Sequence, residues 1–342
     1  MSCSKANNHF VISNRQVVNT PKHKDKYLRV GDDEYMRIDG KEPATYGVRF
    51  GTYSFDDLKD HGRLSIIPEK DFDELWDEKD EKLPSHKVFK SLYDFMSGEK
   101  AGEGEVLVFV HGYNADLKDA LEILRKIDLR YAQNPKSPIK KIVMFTWPSM
   151  SKALQYKDDL KDAKPSGYAL ARTLKKLVSF YRGYLSKVEN CQQRIHLFAH
   201  SMGNQVLQAM MAELNDMDER DMNGLFDDVF LLGADVDCDA LEKPNPMYDL
   251  TDICERVHVL VHKKDQALMI SEGIKHSHRR LGNHGLKSSN GISTNIFVHD
   301  ITNTKDDLAD GFVQDRANHW GYLSSTQVID LINGILRSPK IV

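Results

Sequence analysis

The chain has 342 residues, 40% of them hydrophobic and 29% charged, which places it among globular proteins with one large domain or two modest ones. Its formal net charge of −4 does not suggest the clustered basic surface that a general nucleic-acid binder needs. No apolar run approaches the roughly 18 residues of a membrane span, and Met1 to Phe10 lacks the apolar core of a signal peptide, which predicts a cytoplasmic protein.

In chain order, His9 to Val18, Thr45 to Tyr53 and Arg63 to Ile67 are short β-rich stretches between polar segments and read as edge or hairpin strands. The acidic run Asp71 to Lys82 reads as a solvated helix or linker face, and Gly98 to Glu105 as a surface turn. Residues 1–104 therefore form a β-rich extension and linker packed on a main domain of residues 105–342. From Val106 onward, apolar runs alternate with amphipathic stretches, as βαβ units around a parallel sheet do. The expected strands are Val106 to Val110, Lys141 to Phe145, Arg194 to Ala199, Asp228 to Leu232, Arg256 to Val261 and Asn295 to Val298. The expected helices are Leu117 to Tyr131, Gly167 to Leu185, Gly203 to Leu214, Gln266 to Ile274 and Ser325 to Leu336. Continuous apolar strands such as Val106 to Val110 are buried on both faces, which predicts a three-layer α/β sandwich with a mainly parallel central sheet and N-terminal antiparallel strands on one edge.

The stretch Ile195 to Asn204 carries the chemistry. A predicted strand runs into Ala199-His200-Ser201-Met202-Gly203 and opens at once into a helix. A nucleophile elbow needs small residues two before and two after its serine, because the strand-to-helix turn is tight; here alanine stands in the first of those places. Ser201 would then sit at a helix N-terminus, where backbone N–H groups favour a developing oxyanion. The second oxyanion donor comes from the loop after an earlier strand, and Val110 runs directly into His111-Gly112-Tyr113-Asn114. The amides of Tyr113 and Met202 are the expected oxyanion hole, with His111 and Gly112 close to substrate. Trp147, in Thr146-Trp147-Pro148-Ser149, reads equally as a pocket wall or as core, and the polar segment Met150 to Pro165 as a cover for the site.

The motifs His-Gly-Tyr-Asn at 111–114, Thr-Trp-Pro-Ser at 146–149, Ala-His-Ser-Met-Gly at 199–203, Ala-Asp-Val-Asp at 234–237 and Lys-Asp-Gln-Ala-Leu at 264–268 follow one another here. In that order the chain resembles the α/β-hydrolase subfamily labelled DUF900. The resemblance extends more weakly to Val11-Ile12-Ser13-Asn14-Arg15 and Tyr46 to Gly51. It implies an α/β-hydrolase fold and leaves the substrate open.

A serine hydroxyl needs a histidine base, which this fold supplies late, in the order Ser, Asp, His. His319, just before the last expected helix, is the expected base, and similar His-bearing segments occupy that place in the resembling family; His299 is the runner-up. Asp265, after the strand Val257 to Val261, is the expected acid, with Asp235 as the alternative and Asp237 and Asp300 behind it. Asp265 also suits a helix N-cap. His276, His278 and His284 match no metal-ligand spacing and read as a solvated basic loop. No nucleotide-binding glycine loop occurs, so no cofactor is expected. The four cysteines, Cys3, Cys191, Cys238 and Cys254, are scattered and read as reduced thiols. The expectation is a serine hydrolase of small soluble esters working through an acyl-enzyme. Thioesterase, lipase, amidase or acyltransferase chemistry on the same groups, or a hydrolase-shaped binding scaffold without turnover, are the alternatives.

Overall fold

The computed structural model describes residues 8–39, 47–55, 62–67, 83–100, 102–149, 156–185, 193–216, 222–274, 278–288, 292–308 and 317–339. The acidic run at 71–82, with Cys3, Cys191 and His276, lies outside them. The strands are β1 (Asn8–Ser13), β2 (Val17–Val18), β3 (Tyr27–Arg29), β4 (Tyr35–Arg37), β5 (Arg49–Ser54), β6 (Arg63–Ile66), β7 (Glu105–Val110), β8 (Ile139–Thr146), β9 (Ile195–His200), β10 (Phe226–Leu232), β11 (Cys254–Val261) and β12 (Ile296–Asp300). The helices are α1 (Pro84–Gly98), α2 (Leu117–Ile127), α3 (Tyr156–Leu185), α4 (Gly203–Asp216), α5 (Gln266–Ile274), α6 (Leu281–His284), α7 (Gly321–Ser324) and α8 (Thr326–Arg337).

Among the described residues nine strands form one sheet in the order β12-β11-β10-β9-β7-β8-β1-β5-β6, and β2, β4 and β3 form a small antiparallel sheet. Every neighbour from β12 to β1 is parallel; β5 and β6 continue the sheet antiparallel. Side chains alternate between the two faces. Val106, Val108 and Val110 pack with α1, α3 and α4, whereas Leu107 and Phe109 pack with α2 and α8. The result is the three-layer sandwich with helices on both faces.

Four local readings change. The first strand is not at an edge: β1 lies between β8 and β5, and its Phe10-Val11-Ile12 run is buried, as a strand with neighbours on both sides requires. Helix α1 was not expected, although proline in its first turn and buried Val88, Phe89, Leu92, Tyr93 and Met96 mark an amphipathic helix. Helix α3 starts at Tyr156 and runs through Pro165, so the latter part of the expected polar cover is helix. Residues 150–155 lie outside the described set. Lastly, the expected Leu117 to Tyr131 helix ends its α-helical part at Ile127 and widens into a π-turn over Asp128–Ala132.

Candidate active site

Ser201 opens the two-residue turn between β9 and α4 with φ of +53°, a left-handed conformation that costs an L-residue energy. The turn is held from three sides. The Ser201 amide donates to the Leu232 carbonyl at 2.9 Å, and its own carbonyl accepts from the amides of Asn204 (3.0 Å) and Asp235 (3.2 Å). The Asn204 side chain donates to the carbonyls of both Ala199 and Ser201. A Cβ on Gly203 would come 2.7 Å from the carbonyl oxygens of Val110 and His111, so backbone leaves room only for glycine. Alanine suffices at 199, where it is fully buried. Met202, also fully buried, heads α4.

The loop after β7 abuts this turn. A Cβ on Gly112 would lie 2.7 Å from Cβ of Ser201, so glycine is what lets the two backbones meet. The same loop is fixed by its neighbours: the Asn114 amide donates to Asp159 Oδ2 (3.2 Å), the Ala115 amide to Ser149 Oγ (3.2 Å), and Ser149 in turn to Asp159 (2.8 Å). His111 was expected close to substrate and Trp147 to be either a pocket wall or core; the structure puts both inside. Both are fully buried, their rings stacked with centroids 5.4 Å apart, and the indole N–H donates to the His111 carbonyl at 2.8 Å. They support the loop from behind and offer a ligand no surface. Burial, reinforced by the charge of Arg15, holds the His111 imidazole neutral, down to about 3. Tyr113 is half-buried and meets Tyr156 edge-on at 5.6 Å; burial and then Asp159 push its hydroxyl up.

His319 Nδ1 donates to Asp265 Oδ2 at 2.6 Å, which leaves Nε2 as the basic nitrogen. Asp265 is nevertheless the N-cap of α5 as well, its Oδ1 accepting from the Leu268 amide at 3.1 Å. Gly233, with φ of +49°, lies under the imidazole: a Cβ there would be 3.0 Å from His319 Cε1 and Nδ1 and 3.5 Å from Asp265 Oδ2. Since the Ser201 amide is bound to Leu232, the residue before Gly233, the structure brings Ser201, His319 and Asp265 to one place at the C-terminal ends of β9, β10 and β11. All three are almost closed off, with Ser201 at 6%, His319 at 8% and Asp265 at 1% exposure.

The alternatives are engaged elsewhere. Asp235 accepts from Tyr156 (2.7 Å) and Ser271 (2.6 Å), with Arg280 at 3.3 Å. Asp237 pairs with Arg280. His299 is bonded to His258 at 3.0 Å, and Asp300 pairs with Lys263 at the end of the edge strand. His278 and His284 hold separate partners, Asp237 and Glu272, and among the described residues no group of three or more His, Cys, Asp or Glu is arranged to hold a metal ion. Cys238 and Cys254 are free and buried.

Residues not singled out from sequence complete the arrangement. Among the described residues three non-glycines have positive φ: Asn114, Ser201 and Asn318. One lies in the loop against the serine, one is the serine, and one precedes His319, so the strained backbone clusters where the candidate groups meet. Asn318 donates to the Lys264 carbonyl and the Gln266 amide to the Ala317 carbonyl, clamping the His319 loop to both sides of Asp265. His200 donates from Nε2 to the His319 carbonyl at 3.2 Å and packs against the Trp320 ring; burial and the neighbouring His319 hold it neutral.

A family model described as an α/β hydrolase of unknown function (DUF900) matches residues 90–335. No curated protein and no solved structure matches the chain.

Proposed function

This chain belongs to the DUF900 family of α/β hydrolases, and on that premise we propose that it cleaves carboxylic esters through an acyl-enzyme formed on Ser201. The observation that carries the reading is the 2.6 Å hydrogen bond from His319 Nδ1 to Asp265, made over Gly233 and beside a serine held at positive φ.

Ser201 Oγ attacks the ester carbonyl and its proton passes to His319 Nε2. Asp265 stabilises the resulting imidazolium through Nδ1–H and remains a carboxylate. The carbonyl oxygen, now negative, faces the amides of Tyr113 and Met202. Collapse expels the alcohol, which leaves with the proton from His319. Water then attacks the acyl-enzyme with His319 again as base, and the acid and free Ser201 are released. No step calls for a cofactor. The near-closure of Ser201 and His319 supports a small acyl group as the preferred substrate.

A panel of p-nitrophenyl esters of increasing chain length, with a thioester and a long-chain lipid ester beside them, tests the reading on wild type, Ser201→Ala and His319→Ala. Short esters are expected to turn over fastest, with Ser201→Ala slower by at least roughly 10³-fold. Equal rates for wild type and Ser201→Ala would sink the mechanism. A fluorophosphonate that fails to label folded wild type would favour the binding scaffold instead.

A further inference from the structure

Arg15 lies in the N-terminal part of the chain, outside the matched span of residues 90–335. It is fully buried, yet its hydrogen-bond partners are all neutral: Nε donates to Thr146 Oγ1 (3.0 Å), one terminal nitrogen to the Ile38 carbonyl (3.3 Å) and the other to the Ala115 carbonyl (3.0 Å). Burial works against its charge and Asp116, Asp159, Asp119 and Asp39 favour it from a distance, yet none of them takes its donors, which all go to neutral groups.

The protons in its surroundings can be assigned one by one. Thr146 Oγ1 accepts from Arg15, so its own hydrogen is directed to His111 Nε2, 3.2 Å away. That nitrogen also accepts from the Trp147 amide at 3.1 Å, which fixes it as the unprotonated one. The hydrogen of His111 is therefore on Nδ1, donated to the Gly112 carbonyl at 2.8 Å. Gly112 C=O and Tyr113 N–H belong to one trans peptide, in which the two groups point in opposite directions. Pinning the carbonyl on the His111 side aims the Tyr113 amide away from it. Each bond in the series passes its donor onward, so the guanidinium charge polarises the whole series in one sense and strengthens the last N–H as a donor.

We propose that Arg15, acting through Thr146 and His111, is the positioning residue that orients and polarises the Tyr113 amide for the oxyanion. The inference rests on the serine-hydrolase reading and extends it: a segment preceding the matched span completes the site. When negative charge forms on the substrate oxygen, the series of bonds that starts at Arg15 carries its polarisation to the amide facing that charge.

Thr146→Val and Thr146→Ser test this, the second keeping the hydroxyl. The probe is a trifluoromethyl ketone labelled with ¹³C at its carbonyl, whose hemiketal adduct with Ser201 carries the oxyanion and reports its titration by NMR. Thr146→Val is expected to lower kcat about tenfold with KM unchanged and to raise the hemiketal pKa by about one unit, less than the 10²- to 10³-fold effect of deleting a donor outright. Thr146→Ser should stay near wild type in both. If Thr146→Val does not fold, Arg15→Lys keeps the charge but loses the Nε donor and should raise the hemiketal pKa in the same direction. An unchanged hemiketal pKa in the folded valine or lysine variant, or a serine variant as slow as the valine, overturns the proposal while leaving the role of Ser201 intact. A wild type that forms no adduct, with Ser201→Ala as the blank, overturns both.

Discussion

Asp265 and His319, joined at 2.6 Å, are linked through a carboxylate that does two jobs at once, because its second oxygen caps α5. Asparagine at 265 can still present an oxygen to the Leu268 amide, but it no longer fixes the tautomer of the imidazole. Asp265→Asn is therefore expected to lower kcat by about 10²- to 10⁴-fold with little change in melting temperature. Asp235→Asn should do the opposite, melting lower while kcat stays within a few-fold, because Asp235 serves Tyr156, Ser271 and Arg280. Steady-state rates on a p-nitrophenyl ester and thermal unfolding of both variants separate the two roles; a larger kcat loss for Asp235→Asn would reverse the assignment.

The positive φ of Ser201 sets up a second comparison. Alanine at this position keeps the left-handed penalty, roughly 1–2 kcal/mol, whereas glycine is free of it and gives back about 0.5–1 kcal/mol through its looser unfolded chain. Ser201→Gly is thus expected to exceed Ser201→Ala in stability by about 0.5–1 kcal/mol, both being inactive. Urea denaturation checks this, and an alanine variant of equal or greater stability would mean that the elbow is relaxed.

Acid should destabilise the protein through its buried neutral histidines. His111 is depressed to about 3 and His200 well below its ordinary value, in both cases first by burial. Between about 3 and the unfolded value of 6.5 the unfolded chain carries the extra proton at His111, so stability rises with pH through this window and falls as pH drops through it. Each such group contributes up to about 1.4 kcal/mol per pH unit below 6.5. His258 and His299, also depressed first by burial, act in the same sense, whereas His196, raised despite its burial by bonds to Asp228 and Glu105, and Asp162, pushed up to about 7 by burial, work in the contrary sense, two groups against four. Denaturation midpoints from pH 7 to pH 4.5 should therefore decline, and His111→Gln should make the slope shallower even if the variant starts less stable.

A polar ribbon crosses the α2 and α8 face of the sheet. Glu105 holds Arg194 (2.6 Å) and His196 (2.9 Å), and Asp228 holds Arg256 (2.6 Å), His258 (3.1 Å) and His196 (3.0 Å). Both arginines also donate to carbonyls at the C-terminal end of α8, where cations suit the helix dipole. Asp228→Asn leaves these buried cations short of a counter-charge and is expected to cost about 3–5 kcal/mol in guanidinium unfolding, without altering KM. A loss below about 1 kcal/mol would show that water or a neighbour makes good the charge.

The strand-turn-helix at Ser201 was legible because short-range sterics dictate its residue types in adjacent positions. Strand ends and chain order pointed to Asp265 and His319 as candidates with Asp235 beside them, and the partner of the imidazole, Asp265, shows only once the chain is folded. Arg15, Thr146 and His200 carried no comparable signal, since their roles depend on pairings such as Ser13 with Thr146, which bring distant segments side by side. Proline at 165 reads as a helix breaker, and α3 passes through it all the same, which displaced the expected helix start. Trp147 was ambiguous because an indole serves a pocket and a core equally well until its N–H partner is known.

The place of β1 between β8 and β5 has a consequence for synthesis. As the chain leaves the ribosome, β1 can pair with β5 at once, but its other edge waits for β8, which at 5–20 residues per second arrives on the order of ten seconds later. During that interval a strand rich in Phe10, Val11 and Ile12 exposes unpaired backbone to any passing chain. Slower synthesis would lengthen that interval and the chance of mispairing, whereas β5, already paired on one side with β6, is less open to it.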